Sequence, residues 1–315
     1  MKSIASAPAK VILFGEHFVV YGQKAILCSI NKRVKITSIK TNEPTISVKS
    51  NLGEISVSTS KSIEEVNSPL IPFVYIAKKM IDKFNYSGGI KITIESEIPS
   101  GVGLGSSSAC CVAAAGSISK LFNEFSKEEV LSLAIEAEKT IFKETSGADC
   151  TVSTYGGIIE YDKKNGFKKL ETPSNLHLII VNTKIPHTTK KVVTKVKEFV
   201  DNNEKTFSNI CQKENELIEK VILDLKSGNL KSIGEAMNQN QKYLEQIGVS
   251  NEMLKGLVDD ANKTSFGSKI TGAGDGGCII AIVDESNLEK TLENLQKKNY
   301  ECFSVQIDSK GMDTF

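Results

Sequence analysis

Residues 99–109 read Pro-Ser-Gly-Val-Gly-Leu-Gly-Ser-Ser-Ser-Ala and run directly into a helical pattern. No other stretch narrows the possible folds so far. Gly101, Gly103 and Gly105 let the backbone turn its N–H groups inward around an anion. A helix starting at that point adds unpaired N–H groups and the positive end of its dipole. Serine hydroxyls at the junction can cap the helix and can also ligate a hard cation. The plainer alternative is a glycine turn with serine as a simple N-cap. The pattern GxxxxGK[ST] occurs nowhere in the chain, so a Walker-type phosphate loop is excluded.

A later stretch, residues 269–278, matches GxGxxG through Gly272, Gly274 and Gly277. That fingerprint marks a dinucleotide site only when a strand precedes it and a helix follows. Here it leads into the apolar, β-branched run 278–283, so the dinucleotide reading fails on context. A glycine turn that approaches phosphates closely, or that closes a hairpin, remains. Near the N-terminus, residues 7–22 place Lys10, Glu16 and His17 around an apolar strand. In isolation such a Glu-His pair reads as a hydrogen-bonded structural couple.

Short alternating blocks predict strands over 34–39, 45–48, 54–57 and 90–95. Helical spacing covers 107–121 and 127–139, and a strand returns at 156–161. Beyond residue 176 the pattern predicts strands at 178–181, 268–271, 277–283 and 302–307. Helices are predicted over 189–200, 204–226, 230–247, 251–262 and 288–298. Strands and helices mix without regular alternation, which favours a two-lobed α+β protein over a doubly wound sheet.

The 315 residues are enough for two subdomains. Lys+Arg (39) nearly cancel Asp+Glu (38), leaving no electrostatic reason to expect a nucleic-acid or membrane partner. Apolar runs such as 11–14 and 278–283 fall far below the roughly 18 residues of a membrane span. Lys2 and the Ala-Ser-Ala stretch after it are followed by no cleavage-like site, so no signal peptide is read. Seven cysteines without CxxC spacing or His pairing point to reduced thiols in a cytosolic protein. Cys110 and Cys111 read as small apolar residues of a buried helix. Arg33 is the only arginine.

Taken together, the three segments resemble the three motifs of the GHMP kinases, the group that holds galactokinase, homoserine kinase, mevalonate kinase and phosphomevalonate kinase. The run Lys-Val-Ile-Leu-Phe-Gly-Glu-His-Phe-Val-Val-Tyr-Gly at 10–22 is most similar to the mevalonate kinase branch. So is Ser-Gly-Ala-Asp-Cys-Thr-Val-Ser-Thr-Tyr-Gly-Gly at 146–157, with Glu138 eleven residues before Asp149. The resemblance extends from residue 5 to about residue 283.

This resemblance implies a GHMP-type fold: residues 1–174 with a mixed or antiparallel sheet and helices, and residues 175–315 as a ferredoxin-like lobe. It implies ATP and Mg²⁺, with mevalonate as acceptor at its 5-hydroxyl, in a monomer or homodimer. Asp149 would face the attacking hydroxyl with Lys10 beside it. Ser107 and Glu138 would ligate the metal. The loop of Gly101, Gly103, Leu104, Gly105, Ser106, Ser107 and Ser108, with Gly272, Ala273 and Gly274, would seat the phosphates. Glu16, His17, His187 and Thr271 would contact the acceptor.

Some positions depart from the family pattern. Phe142-Lys143 stand where His-Gly is usual, and Thr145 replaces Pro. His187 stands for an Arg, which removes a planar donor fork for which His187 itself, Lys190 or Lys143 would have to compensate. Asp275 replaces a glycine in the third segment. The alternatives are a related acceptor, such as phosphomevalonate or another mevalonate hydroxyl, and a metabolite-binding regulator without turnover. A dinucleotide-dependent oxidoreductase would rest on residues 272–277 alone.

Overall fold

The chain opens on a long antiparallel ribbon, β1 (Lys2–Phe14) against β2 (Ala25–Thr41), in a computed structural model that describes all residues except Ser100, Glu144, Ser174 and 186–188. The side chains of Thr189 and Lys190 are likewise outside the described set. Register shifts at Pro8/Ala9 and Ile12/Phe14 bend the ribbon. One half of β2 can therefore pair residues 89–96 while its other half pairs residues 158–161. The first lobe continues with β3 (Thr45–Ser50), β4 (Gly53–Ser58), α1 (Ile71–Lys83), β5 (Gly89–Ser96), α2 (Ser106–Lys120), α3 (Lys127–Glu138), α4 (Ala148–Tyr155), β6 (Ile158–Asp162) and β7 (Gly166–Leu170). Its sheet runs β12-β1-β2-β5-β3-β4, where β12 is Asp313–Thr314 near the end of the chain, and β6 joins β2 to β7. Only the β3–β5 pair is parallel among the described strands, which makes the sheet mixed.

The second lobe holds β8 (His177–Asn182), α5 (Thr189–Asn202), α6 (Glu204–Ser227), α7 (Leu230–Gln246), α8 (Glu252–Asn262), β9 (Gly267–Thr271), β10 (Cys278–Val283), α9 (Glu285–Gln296) and β11 (Glu301–Gln306). Its four strands are antiparallel in the order β11-β8-β10-β9. Read by chain position that order is fourth, first, third, second, the ferredoxin-like arrangement. Val181, Ile270 and Ile279 of the sheet share a core with Leu244, Leu257 and Leu295 of the covering helices. The chain ends by returning to the first sheet, where β12 (Asp313–Thr314) pairs β1. Among the described residues no helix is long and apolar enough to cross a membrane.

The composition of α2 explains its position. Small residues occupy nearly every face, and Ala109 and residues 111–119 are all buried. A helix with no bulky face can lie close to β1 and β2 on one side and to α3 and α4 on the other. Gly116 is the tightest point, lying against Met312 and Ala5. This burial fixes the direction in which the helix N-terminus points.

Arg33 is structural. Its guanidinium pairs with Asp308, donates to the Gly311 carbonyl at 2.7 Å, and holds Ser6 through both its carbonyl (3.1 Å) and its hydroxyl. The C-terminal tail is thereby pinned beside β1. Arg33→Ala is expected to cost about 3 kcal/mol, because it strips several charge-assisted bonds and leaves Asp308 unpaired. Urea denaturation would measure the loss, with faster proteolysis of the tail as its companion.

Candidate active site

A cleft of about 490 Å³ opens between the lobes, and both glycine-rich loops line it. Its floor is the loop before α2. Gly101, Gly103 and Gly105 all take positive φ, as a chain curling its N–H groups to one side requires. Gly105 is the N-cap of α2, and no side chain caps the first turn. Among the described residues the alternative serine cap is not formed, so the first-turn N–H groups stay available for an anion. The loop is tied to β1 by the Lys10 N–H, which donates to the Leu104 carbonyl at 3.0 Å.

Lys10 and Asp149 meet in this cleft. The Lys10 ammonium lies 3.0 Å from the Asp149 carboxylate, with Lys10 5% and Asp149 34% exposed. The stem of Lys10 lies over Gly105, where a Cβ would come within 2.6 Å of Lys10 Cγ. Asp149 stands in the first turn of α4 behind Gly147. Gly147 has φ of 78° and sits so near Ile135 that a Cβ would approach its Cδ1 to 2.9 Å. A glycine at 105 and at 147 is thus what lets the cation and the carboxylate face each other.

Glu138 ends α3 and is 4% exposed. One carboxylate oxygen accepts from the Ser108 hydroxyl and the other from the Thr145 hydroxyl at 2.5 Å. Burial pushes its carboxyl above the ordinary range, the hydroxyl bonds oppose that rise, and the nearby Asp149 charge adds to it. Ser107 lines the cleft one residue before the hydroxyl that Glu138 holds. Among the described residues no group of three or more His, Cys, Asp and Glu could hold a metal by itself. A buried carboxylate held by hydroxyls, in a cleft that Ser107 also lines, is instead a set of hard oxygen donors that would suit Mg²⁺ together with phosphate oxygens.

His17 reaches the cleft from a strained turn with φ of 63°. Its Nε2 lies 2.8 Å from the Ala273 carbonyl, which can only accept, so Nε2 carries the proton and Nδ1 is left as an acceptor. Burial pushes the imidazole below its usual range, keeping it neutral at neutral pH. Gly272 and Ala273 line the opposite wall, and a Cβ on Gly272 would lie 3.5 Å from the Gly103 carbonyl. The third segment thus closes the β9–β10 hairpin and also touches the second segment.

Other sequence-derived candidates fall elsewhere. Glu16 is buried behind the cleft and paired with Lys269, so it does not line the cavity. The Thr271 hydroxyl accepts from the Ile12 N–H at 3.0 Å and donates to the Ile12 carbonyl at 3.1 Å, tying the lobes. Gly274 turns away and packs on the Val249 carbonyl. Asp275 has φ of 58° and donates its N–H to the same carbonyl at 2.7 Å. Its position is a left-handed one that glycine suits and aspartate tolerates. His187 lies outside the described residues. Sequence reading missed Thr145 as a partner of Glu138 and the apolar rim of Val20, Phe142 and Val193. Thr145 directly precedes the Ser-Gly-x-Asp run and could have been marked on that ground.

Comparison with known proteins places this geometry in context. The family model for the GHMP kinases N terminal domain matches residues 72–157, and that for the GHMP kinases C terminal matches residues 221–302. Mevalonate kinase of Pyrococcus furiosus is 36% identical over 309 residues, covering 92% of this chain and 91% of that protein. The crystal structure of Methanococcus jannaschii mevalonate kinase superimposes with a TM-score of 0.85 at 30% identity, covering 96% of this chain and 98% of that one. L. major mevalonate kinase, solved in complex with R-mevalonate, gives 0.79 at 26% identity, with 96% and 95% covered.

Proposed function

This chain belongs to the GHMP kinases, and within them to the mevalonate kinases, and on that premise we propose that it transfers the γ-phosphoryl group of ATP to the 5-hydroxyl of mevalonate at the Lys10–Asp149 pair. The observation that carries the reading is this pair, 3.0 Å apart, beside an uncapped helix N-terminus in a cleft lined by both glycine loops. A cation, a carboxylate and an anion cradle within one cavity are the parts that phosphoryl transfer needs.

The acceptor hydroxyl gives its proton to the Asp149 carboxylate as its oxygen bonds to the γ-phosphorus. The bond from that phosphorus to the β-bridging oxygen breaks, and ADP leaves. Lys10 offsets negative charge on the attacking oxygen and on the transferring group. The backbone N–H groups of residues 103–107 hold the β-phosphate, and Gly272 and Ala273 close over it. Ser107 and Glu138 would hold Mg²⁺, which would offset the negative charge of the phosphates during transfer. His17 offers Nδ1 to a hydroxyl of the acceptor. Residues 1–174 supply the phosphate and catalytic groups, and residues 175–315 the covering wall. All seven cysteines are free, which suits a cytosolic setting.

The test is ADP release with Mg·ATP and, in turn, mevalonate, mevalonate 5-phosphate, homoserine and galactose. Release with mevalonate alone is expected. Release only with another member of the panel would keep the transfer chemistry and discard the acceptor.

A further inference from the structure

Behind the cleft, where the lobes meet, charged side chains are closed off from water. Glu16 pairs with Lys269, which also donates to the Ile270 carbonyl at 2.6 Å. Glu214 of α6 accepts the Gly15 N–H at 3.0 Å with one oxygen and the Asn240 side-chain amide at 2.7 Å with the other. Glu16, Glu214, Asn240 and Lys269 are each at most 1% exposed. A buried carboxylate is costly to keep, and this one spends an oxygen on an N–H 199 residues away in the chain.

That N–H opens the turn that carries Glu16 and His17. Gly15 has φ of 93° and His17 has φ of 63°, so the turn holds two left-handed residues and must be pinned from outside. Gly15 itself is wedged against Ala25, where a Cβ would meet Ala25 Cα at 2.6 Å. Phe18, immediately after the turn, is planted in the core of the second lobe, with its ring stacked 5.9 Å from that of Phe207. The mechanism above assigns no role to Glu214.

We infer that Glu214 is a positioning residue for the acceptor side of the cleft, which fixes the Gly15 N–H across the lobe boundary and thereby aims His17 at the acceptor. The inference rests on the reading of His17 as an acceptor contact. Burial pushes the Glu214 carboxyl up to about 7, with the Glu16 charge adding to the rise and Asn240, Lys269 and the Gly15 N–H opposing it. The charged and titratable groups facing it are Glu16 on the turn, Lys269 on β9 and Cys211 on its own helix. Asn240 Oδ1 has no hydrogen-bond partner among the described residues, so a protonated Glu214 can donate to it once the amide rotates. The Gly15 bond then survives in acid but loses its charge assistance.

The test uses the full chain and two readouts. The Gly15 backbone amide resonance, followed from about pH 5.5 to about pH 8.5, is expected to titrate with a midpoint of about 7 and to stop titrating in Glu214→Gln. In steady-state kinetics, Glu214→Ala is expected to raise KM for mevalonate at least about tenfold while KM for ATP moves less than about twofold. Glu214→Gln keeps an oxygen for Gly15 and offers an amide to Asn240 Oδ1, and is expected to recover most of that loss. A Gly15 amide that does not titrate, or both KM values rising together, would overturn the assignment. Should Glu214→Ala fail to fold, the amide titration and Glu214→Gln decide it. Absence of mevalonate turnover in the unmodified protein would count against the proposed function alone, because the titration needs no substrate.

Discussion

Exchanging Asp149 for Asn is expected to lower kcat by about 10³- to 10⁴-fold while KM for Mg·ATP changes less than about threefold. The amide fits the space of the carboxylate, so the phosphate cradle of residues 101–108 keeps its shape. What disappears is the group that takes the hydroxyl proton and the counter-charge that steadies Lys10. The Lys10 side chain is only 5% exposed and would lose the opposite charge 3.0 Å away. A modest fall in thermal stability should therefore accompany the kinetic loss. Circular dichroism and nucleotide-binding titrations separate the two effects. A variant that binds Mg·ATP normally and turns over poorly is the expected result, and one that turns over normally would remove Asp149 from the chemistry.

The second large effect is expected at Glu138. Glu138→Gln should lower kcat/KM for ATP by about 10- to 100-fold and raise the Mg²⁺ concentration needed for half-maximal rate, since an amide is a poor partner for a hard cation. The same change should stabilise the metal-free fold. Burial raises the Glu138 carboxyl above its unfolded value. A group shifted in that direction contributes its stability below the unfolded value and loses it as pH rises through the folded one. The unmodified protein therefore carries a penalty at neutral and alkaline pH that Gln lacks. Melting curves without Mg²⁺ should show Glu138→Gln melting higher, by a margin that widens as pH rises from the unfolded carboxyl value through the folded one and is level above it. A variant that melts lower at every pH would mean that the Ser108 and Thr145 bonds outweigh the buried charge.

Much of this site could be read from the chain because glycine and small residues leave a local signature. The loop at 101–105 is confined by backbone geometry, and the run of small residues after it becomes a helix buried on nearly all sides. The strand after Gly277 excluded a dinucleotide fold, and β9 and β10 form the hairpin that remained. Helix α1 was absent from the predicted helices, although Pro72 suits a first turn. The spacing of Phe73, Ile76, Ala77, Met80 and Ile81 was the signal for it. The length of β2 was hidden because its two halves pair different partners across bends.

Long-range partners left no local trace. The resemblance made Glu16 an acceptor contact, yet the turn after β1 sends its side chain inward to Lys269. Lys269 and Glu214 sit among ordinary charged residues in the sequence, and only the docking of the two lobes makes them a buried cluster. Thr145 likewise becomes a partner of Glu138 through the packing of α3 against α4. The solitary Arg33, which could have been assigned to phosphate, is spent on Asp308 and the C-terminal tail. Positive charge beside Asp149 in the cleft comes from Lys10.

The most direct test of the central claim is proton-coupled phosphorus NMR of the product formed from mevalonate and Mg·ATP. Transfer at the Lys10–Asp149 pair to the primary hydroxyl predicts a phosphomonoester split by a neighbouring CH₂, appearing together with ADP and absent with Asp149→Asn. An unsplit phosphomonoester, as from the tertiary hydroxyl, or ADP with inorganic phosphate alone, would contradict the account.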